Sequence, residues 1–506
     1  MKKIEGSAHK TTHFFIILLF FVFPLFTGPD GYVHITESKY AFLTGISSLW
    51  LAALAVCGIS ALCRGQRPRF AASPVSVAVA AFMLMACVSA IFSPFGLSDV
   101  LIGAGRFDGL LTLLFCGAIF LGVSAFSGPR EIYSAAFALS VSLCCVVAIL
   151  QLWGLNPLWL YPGDYTYYDA HTLYTGEFLG TIGNSNLLSG LLSLAVPFFA
   201  SLFVRGEKHS ALYLIPTALG TYTLAASRVA GGAAALIAAA VISAPVLVTD
   251  ARRASRFMAA LTAAAVPASL ALSFRADYAG RLLSVSFSPG TAPLFLLGAG
   301  LVALSVSVIL RIKSPDFRPE RLKKLLFLSI PLGGLALLAF IYFFPFSEGG
   351  TLYELHSILH GNIDPGFGSS RIRIWTEALA LFPERPILGG GPGTTALRLN
   401  IEFSRYVPET GKTLRTFVDN AHNDFIDHLI SLGAAGLLAY LAGIAATLRL
   451  WFSHTAGPMT QALGTGLIGY WIQSFFGLNL FIVSPFMWLI WGIFASATIK
   501  KPVESN

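Results

Sequence analysis

Apolar runs long enough to cross a bilayer recur from one end of this sequence to the other, and they leave few folds open. A hydrocarbon core about 30 Å thick is crossed by about 20 apolar residues in helical form. Within it every backbone N–H and C=O must be satisfied internally, so such a chain folds as a helix bundle. The runs fall at 13–27, 41–62, 75–93, 109–126, 134–153, 187–204, 210–226, 230–249, 257–273, 291–310, 325–346, 428–448, 460–479 and 482–498. They predict an all-α polytopic membrane protein of about fourteen spanning helices (12–14), with 1–506 as a single integral membrane domain. Only 11% of the residues are charged, against about 25% in soluble domains.

The basic residues set the orientation. Of the 33 Lys and Arg, 21 fall in the alternate short connections that share a side with both termini. By the positive-inside rule that side is cytoplasmic. The sequence therefore predicts a multi-pass protein of the plasma (inner) membrane with both termini in the cytoplasm. The net charge of +8 follows from this asymmetry and calls for no nucleic acid. The basic residues before 13–27 suit a signal peptide, but no small-residue cleavage site follows the apolar run, so the segment is expected to be retained. The six cysteines all lie in or beside apolar runs and form no CxxC pair. They read as small buried hydrophobes rather than a zinc site or disulfide framework.

Two external segments are long: 154–186 and 347–427. Connections this long are usually functional, and both hold aromatic and aliphatic residues at folded-protein frequency. Inside the spans ionisable residues are essentially missing, with Arg228 placed at an external end. Such residues mark ion paths and proton relays, so an ion-coupled transporter is disfavoured and chemistry is expected at the outer face. The run Tyr161 to His171 offers tyrosines that either stack on sugars or form an interfacial belt. It also offers His171 as a second candidate base.

Within the long extracytoplasmic loop, Ser370–Phe382 reads as a helix capped by Ser369 or Ser370. Its stripe Ile372, Trp375, Leu379 and Phe382 is expected to lie along the membrane surface. Arg371 and Trp375 are i,i+4 neighbours, which allows the guanidinium to sit over the indole. Arg373 pairs more simply with Glu377. The glycine run from Pro386 to Gly393 makes either a phosphate-binding nest of backbone N–H groups or a turn closing the helix. Next, Asp419 or Asn420 is expected to cap the twelfth span, placing His422 in its first turn. A neutral His422 there can act as a general base toward a hydroxyl. The helix end lowers its proton affinity and the nearby Asp419 and Asp424 raise it. A metal set of His422 with Asp419, Asp424 and Asp427 lacks a second histidine.

The pattern His422-Asn423, nine residues, Gly433, two residues, Gly436 resembles the signature of the O-antigen ligase family. Gly180 to Asn186, Ser227-Arg228, and Ser370-Arg371 to Trp375 followed by Pro386 to Gly393 resemble the same family in the same order. The resemblance covers about residues 180–445. It implies a GT-C-like membrane glycosyltransferase that moves a glycan from a polyprenyl-diphosphate carrier to the hydroxyl of a lipid, glycan or protein acceptor, with no cofactor and no metal. Carried onto this chain, it implies that Arg228 and Arg371 bind the diphosphate and that His422 is catalytic. Asn423, Trp375, Gly391, Gly393, Asn184 and Asn186 would then support the site.

Two other functions compete. A lipid-linked glycan flippase would need a polar path through the membrane. A polymerase of the cell-shape type would rely on an external carboxylate such as Asp30, Asp364 or Asp419, which no motif frames.

Overall fold

The computed structural model describes residues 2–65, 73–161, 168–169, 172–173, 179–206, 209–279, 282–287, 290–313, 319–407, 412–453, 457–477 and 480–498. A helix covers each of the fourteen stretches predicted to span, and the protein is an all-α polytopic membrane protein. Among the described residues nine helices are long and apolar enough to cross a bilayer. Leu110–Phe126, Leu214–Ala226, Pro458–Ser474 and Ser484–Thr498 are shorter. Strand structure is confined there to three two-stranded hairpins.

Burial sorts the helices into a centre and a rim. The Ser185–Arg205 helix is buried along nearly its whole length. It packs on Pro458–Ser474, while Ser484–Thr498 packs on Leu110–Phe126, and Asp424–Trp451 on Pro74–Ile91. Trp451, Trp488 and Trp491 are fully buried among them. Rim helices such as Ile35–Cys63 and Thr291–Lys313 leave most of their apolar surface uncovered by protein, as lipid-facing helices do.

The expectation of spans without ionisable residues needs correction. Lys39 lies inside the Ile35–Cys63 helix and is fully buried. Its ammonium donates to the Phe23 and Pro24 carbonyls at 3.0 and 3.4 Å. Those carbonyls lose their helical partners where the preceding helix turns to extended backbone at Phe26, so the lysine caps a helix end. Asp424, Asp427 and His428 also fall within a helix long enough to span. A hydropathy window closes at the first charged residue, and so trims such turns away.

The long loop 347–427 is partly helical, with Thr351–Leu359, Phe367–Ala380 and Thr395–Arg398, and ends in a hairpin of Glu402–Val407 and Lys412–Phe417. It carries its own small core of Ile374, Ala378, Leu399, Ile401, Val418 and Ala421, closed by Ile430 of the Asp424–Trp451 helix. The face turned to this core is offset from the predicted stripe. Ile374 and Ala378 face the core, whereas Leu379 is exposed, because the partner of the helix is the loop itself.

The Asp424–Trp451 helix is broken at Gly433, which sits at φ 69°, ψ −176°. The glycine loop replaces the lost helical hydrogen bonds. Gly390 and Gly391 N–H groups donate to the Ile430 and Ser431 carbonyls, both at 2.9 Å. In return Ala434 and Ala435 N–H groups donate to the Pro386 and Ile387 carbonyls at 2.8 and 3.2 Å. Both backbones must come close. A Cβ on Gly433 would lie 2.2 Å from the Ile387 carbonyl oxygen.

Gly433→Ala is therefore expected to lower stability. This positive-φ, extended-ψ backbone, open essentially to glycine, costs another residue about 1–3 kcal/mol, and the backbone contact adds to it. Thermal unfolding of detergent-purified protein should show a clear drop in midpoint. Gly58→Ala, with open space around its added methyl in the Ile35–Cys63 helix, should hold or raise the midpoint. Equal midpoints for Gly433→Ala and wild type would contradict the described junction.

Candidate functional site

Three loops meet at this junction. The first carries His422. The cap of the broken helix is Asn423, not Asp419 or Asn420: its Oδ1 accepts from the Phe425 and Ile426 N–H groups at 3.0 and 3.1 Å. His422 thus precedes the cap rather than lying in the first turn. Asn420 Oδ1 accepts from the His422 N–H at 2.8 Å, and His422 takes a left-handed φ of 50°. Asp419, Asn420 and Asn423 all offer a cap within the DNAHN run, so the sequence left the register of the cap open. Thr395 Oγ1 donates to Asp427 Oδ1 at 2.9 Å, tying the first turn of the same helix to the loop core.

The second is the start of the arginine helix. Gly368, Ser369 and Ser370 all take left-handed backbone, and regular helix begins at Arg371. Neither serine makes the predicted side-chain cap. The Arg371 guanidinium is turned to backbone carbonyls instead of lying over the Trp375 indole. Nε donates to Phe476 O at 3.2 Å and Nη1 to Gly368 O at 2.8 Å. Trp375 packs on Phe475 and Phe476 with centroids at 5.7 and 6.4 Å. Arg373 does pair with Glu377, at 3.0 Å.

The third is the glycine loop. Its Gly390 and Gly391 amides are spent on the broken helix, so it is not an open phosphate nest. Gly393 has another task. Its carbonyl accepts from Ala104 N–H at 2.9 Å, and a Cβ on it would lie 2.6 Å from Gly103 Cα. The glycine pair seats the 103–109 segment against the loop. That segment presents Arg106, which sequence reasoning missed. Arg106 Nε pairs with Asp419 Oδ2 beside His422. One signal was available: an arginine in a short connection assigned to the outer side runs against the positive-inside rule.

These charges set the chemistry. Burial, then the positive charges of Arg371 and Arg106, push the His422 imidazole down to about 4, with Asp419 opposing. His422 is therefore neutral at physiological pH and can accept a proton. Burial and nearby Asp419 push Asp108 up to about 6, against its own backbone hydrogen bond and Arg106. Burial also lowers Arg371. The metal set of His422 with three aspartates does not form: among the described residues no group of three or more His, Cys, Asp or Glu is placed to hold a metal ion.

The remaining predicted residues stand around this centre. Arg228 follows the Leu214–Ala226 helix, exposed and with φ 54°. It lines the mouth of an apolar cavity of about 580 Å³ walled by residues such as Val196, Leu224, Leu236, Ala265 and Ala303. Gly231, three residues on, packs so tightly under Phe476 that a Cβ would lie 2.8 Å from its Cβ. Phe476 thus connects the Arg228 segment to Arg371. Asn184 caps the Ser185–Arg205 helix by accepting from the Asn186 and Leu187 N–H groups, so its role is structural. The tyrosines after Tyr161, and His171, lie outside the residues whose side chains are described.

Residues 282–441 match the family model described as O-antigen ligase. No curated protein matches the chain. The match takes in Arg371, the glycine loop, His422, Asn423, Gly433 and Gly436, and leaves Arg106 and Arg228 outside.

Replacing the cap tests how His422 is held. Asn423→Ala should cost about 1 kcal/mol and speed amide exchange at Phe425 and Ile426. Asn423→Asp, which keeps an acceptor at the positive helix end, should restore both. An Asn423→Ala protein with wild-type exchange at those two amides would remove the cap from the account.

Proposed function

We propose that this protein, which matches the O-antigen ligase family model over residues 282–441, is a glycosyltransferase of the ligase or polymerase type that transfers a glycan from a polyprenyl-diphosphate carrier to an acceptor hydroxyl at the outer face of the plasma membrane. The observation that carries the proposal is the neutral, half-buried His422 set beside Arg371, with Arg228 at the mouth of an apolar cavity within the bundle. A base, a phosphate grip and a hydrocarbon slot suit a donor that is part lipid, part diphosphate and part sugar.

In this reaction the acceptor oxygen bonds to the anomeric carbon as that carbon's bond to the diphosphate oxygen breaks, with inversion. His422 takes the hydroxyl proton as the bond forms. Negative charge builds on the departing diphosphate, and arginine is suited to it because its planar fork binds phosphate oxygens in pairs. Placed before the bond breaks, these donors stabilise the transition state more than the ground state. The carrier's chain would lie in the apolar cavity, and the long loop would hold Arg371 and His422 over the reacting atoms. The acceptor's class, whether lipid, growing glycan or protein, is set by surfaces beyond these residues.

The flippase reading gains one point, since charged residues do enter the spans. The two readings separate in vesicles. Release of polyprenyl diphosphate on adding acceptor marks transfer, and passage of intact donor across the membrane marks flipping.

Two measurements test the roles. His422→Gln should abolish transfer by removing the base, yet bind donor; wild-type turnover in that variant would refute the role of His422. Arg371→Gln should weaken donor binding as well as transfer. The pH profile has a defined sign. A base works when neutral, so kcat/KM for donor, which reports the free enzyme, should hold at acid pH and fall only near 4. Bound diphosphate offsets the arginine charges and raises the proton affinity of His422. The acid limb of kcat should therefore lie at higher pH than that of kcat/KM.

A further inference from the structure

Resting on the donor assignment above, we propose that Arg106 is a third diphosphate ligand and that the arginines read the donor directionally, with Arg106 on the sugar-side phosphate and Arg228 on the lipid-side phosphate. The first observation is the state of the Arg106 fork. Its Nε is engaged by Asp419, the side chain is 38% exposed, and its two Nη groups have no partner among the described residues. A guanidinium fixed at one edge and open at the other is pre-organised to grip an oxyanion pair. Asp419 supplies the fixing, and the Gly103–Gly393 contact supplies the seat.

The second observation is order in space. Arg228 stands at the mouth of the apolar cavity, so whatever it grips is next to the hydrocarbon chain. Arg106 stands with Asp419 beside His422 and presses on its charge, so whatever it grips is next to the reacting carbon. Arg371 donates to the Phe476 carbonyl, and Phe476 packs on Gly231 of the Arg228 segment, while Arg371, like Arg106, is electrostatically coupled to His422. A diphosphate donor has this same order: chain, first phosphate, second phosphate, sugar. The order gives Arg106 a separate task. It tells a diphosphate from a monophosphate, which carries the lipid-side group alone.

The test uses farnesyl diphosphate and farnesyl monophosphate as probes, with affinities measured on detergent-purified full-length protein. Arg106→Gln should weaken the diphosphate by about tenfold or more, the change expected for losing a charge-assisted hydrogen bond. It should leave the monophosphate within about twofold of wild type on the same scale. Retained monophosphate binding also shows that the variant is folded. Arg228→Gln should weaken both probes alike. Equal loss of both probes in Arg106→Gln, or loss of neither, overturns the assignment. Should that variant not fold, Arg106→Lys is measured instead, and equal loss on both probes overturns the assignment in the same way. Wild-type protein that binds neither probe overturns the donor reading and this inference with it. Wild-type binding of both, with Arg106→Gln changing neither, overturns this inference alone.

Discussion

The exchange of backbone hydrogen bonds between the Pro386–Gly391 segment and the broken turn at Gly433 is the contact on which the rest of the site depends. A helix that long would normally keep its Ile430 and Ser431 carbonyls for itself. Here Gly433 breaks the ladder, and in a bilayer an unsatisfied peptide group costs several kcal/mol. The break therefore has to be filled, and the glycine loop fills it with both donors and acceptors. Its carbonyls and amides are thereby fixed to one register. From that register follow the seat for the 103–109 segment at Gly393 and the position of Arg106. Arg398 strengthens the same joint by donating from Nη1 to the Ile430 carbonyl at 2.7 Å.

The hydrogen-bond exchange gives a physical meaning to the spacing of His422, Gly433 and Gly436. The interval from His422 to Gly433 is a cap followed by about two and a half turns of helix at 3.6 residues each. It sets the distance between His422 and the joint that locks the glycine loop. The signature is thus a length of helix with a functional residue before its first turn and a forced break at its end. A longer or shorter helix would carry His422 away from the arginines while leaving every local interaction intact.

The sequence disclosed the fold almost completely because bilayer physics writes it in hydropathy. Each stretch predicted to span is helical, since apolar runs of that length have few alternatives. The site was legible as residue types and less so as geometry. Arg371 and His422 do lie within electrostatic reach of each other, as the motif order implied. The local structure around each was misjudged for a common reason, left-handed backbone: Arg371 follows Gly368 to Ser370, and His422 itself takes it, just before its helix. Helix-start rules assume a chain that enters from extended backbone, and serine or asparagine then caps by default. Nothing in Ser369 or Ser370 announces a left-handed turn. Arg106 was hidden differently. Its contact with Asp419 joins residues 313 positions apart, and periodicity carries no information over that distance.

The electrostatics also explain why Arg106 needs Asp419. Arg371 and Arg106, gathered near a half-buried imidazole, repel one another and add to burial in holding it neutral. Asp419 compensates one of them at the edge of the site. It does so through Nε, so the terminal nitrogens stay available, and it opposes the downward push on His422 at the same time. A carboxylate closer to His422 would raise its proton affinity and cost it the neutral form at acid pH. One farther away would leave the 103–109 segment held by backbone contacts alone. The acidic residue beside His422 is then best understood neither as a metal ligand nor as a nucleophile. It is the counter-charge to Arg106 in a cluster that also holds Arg371.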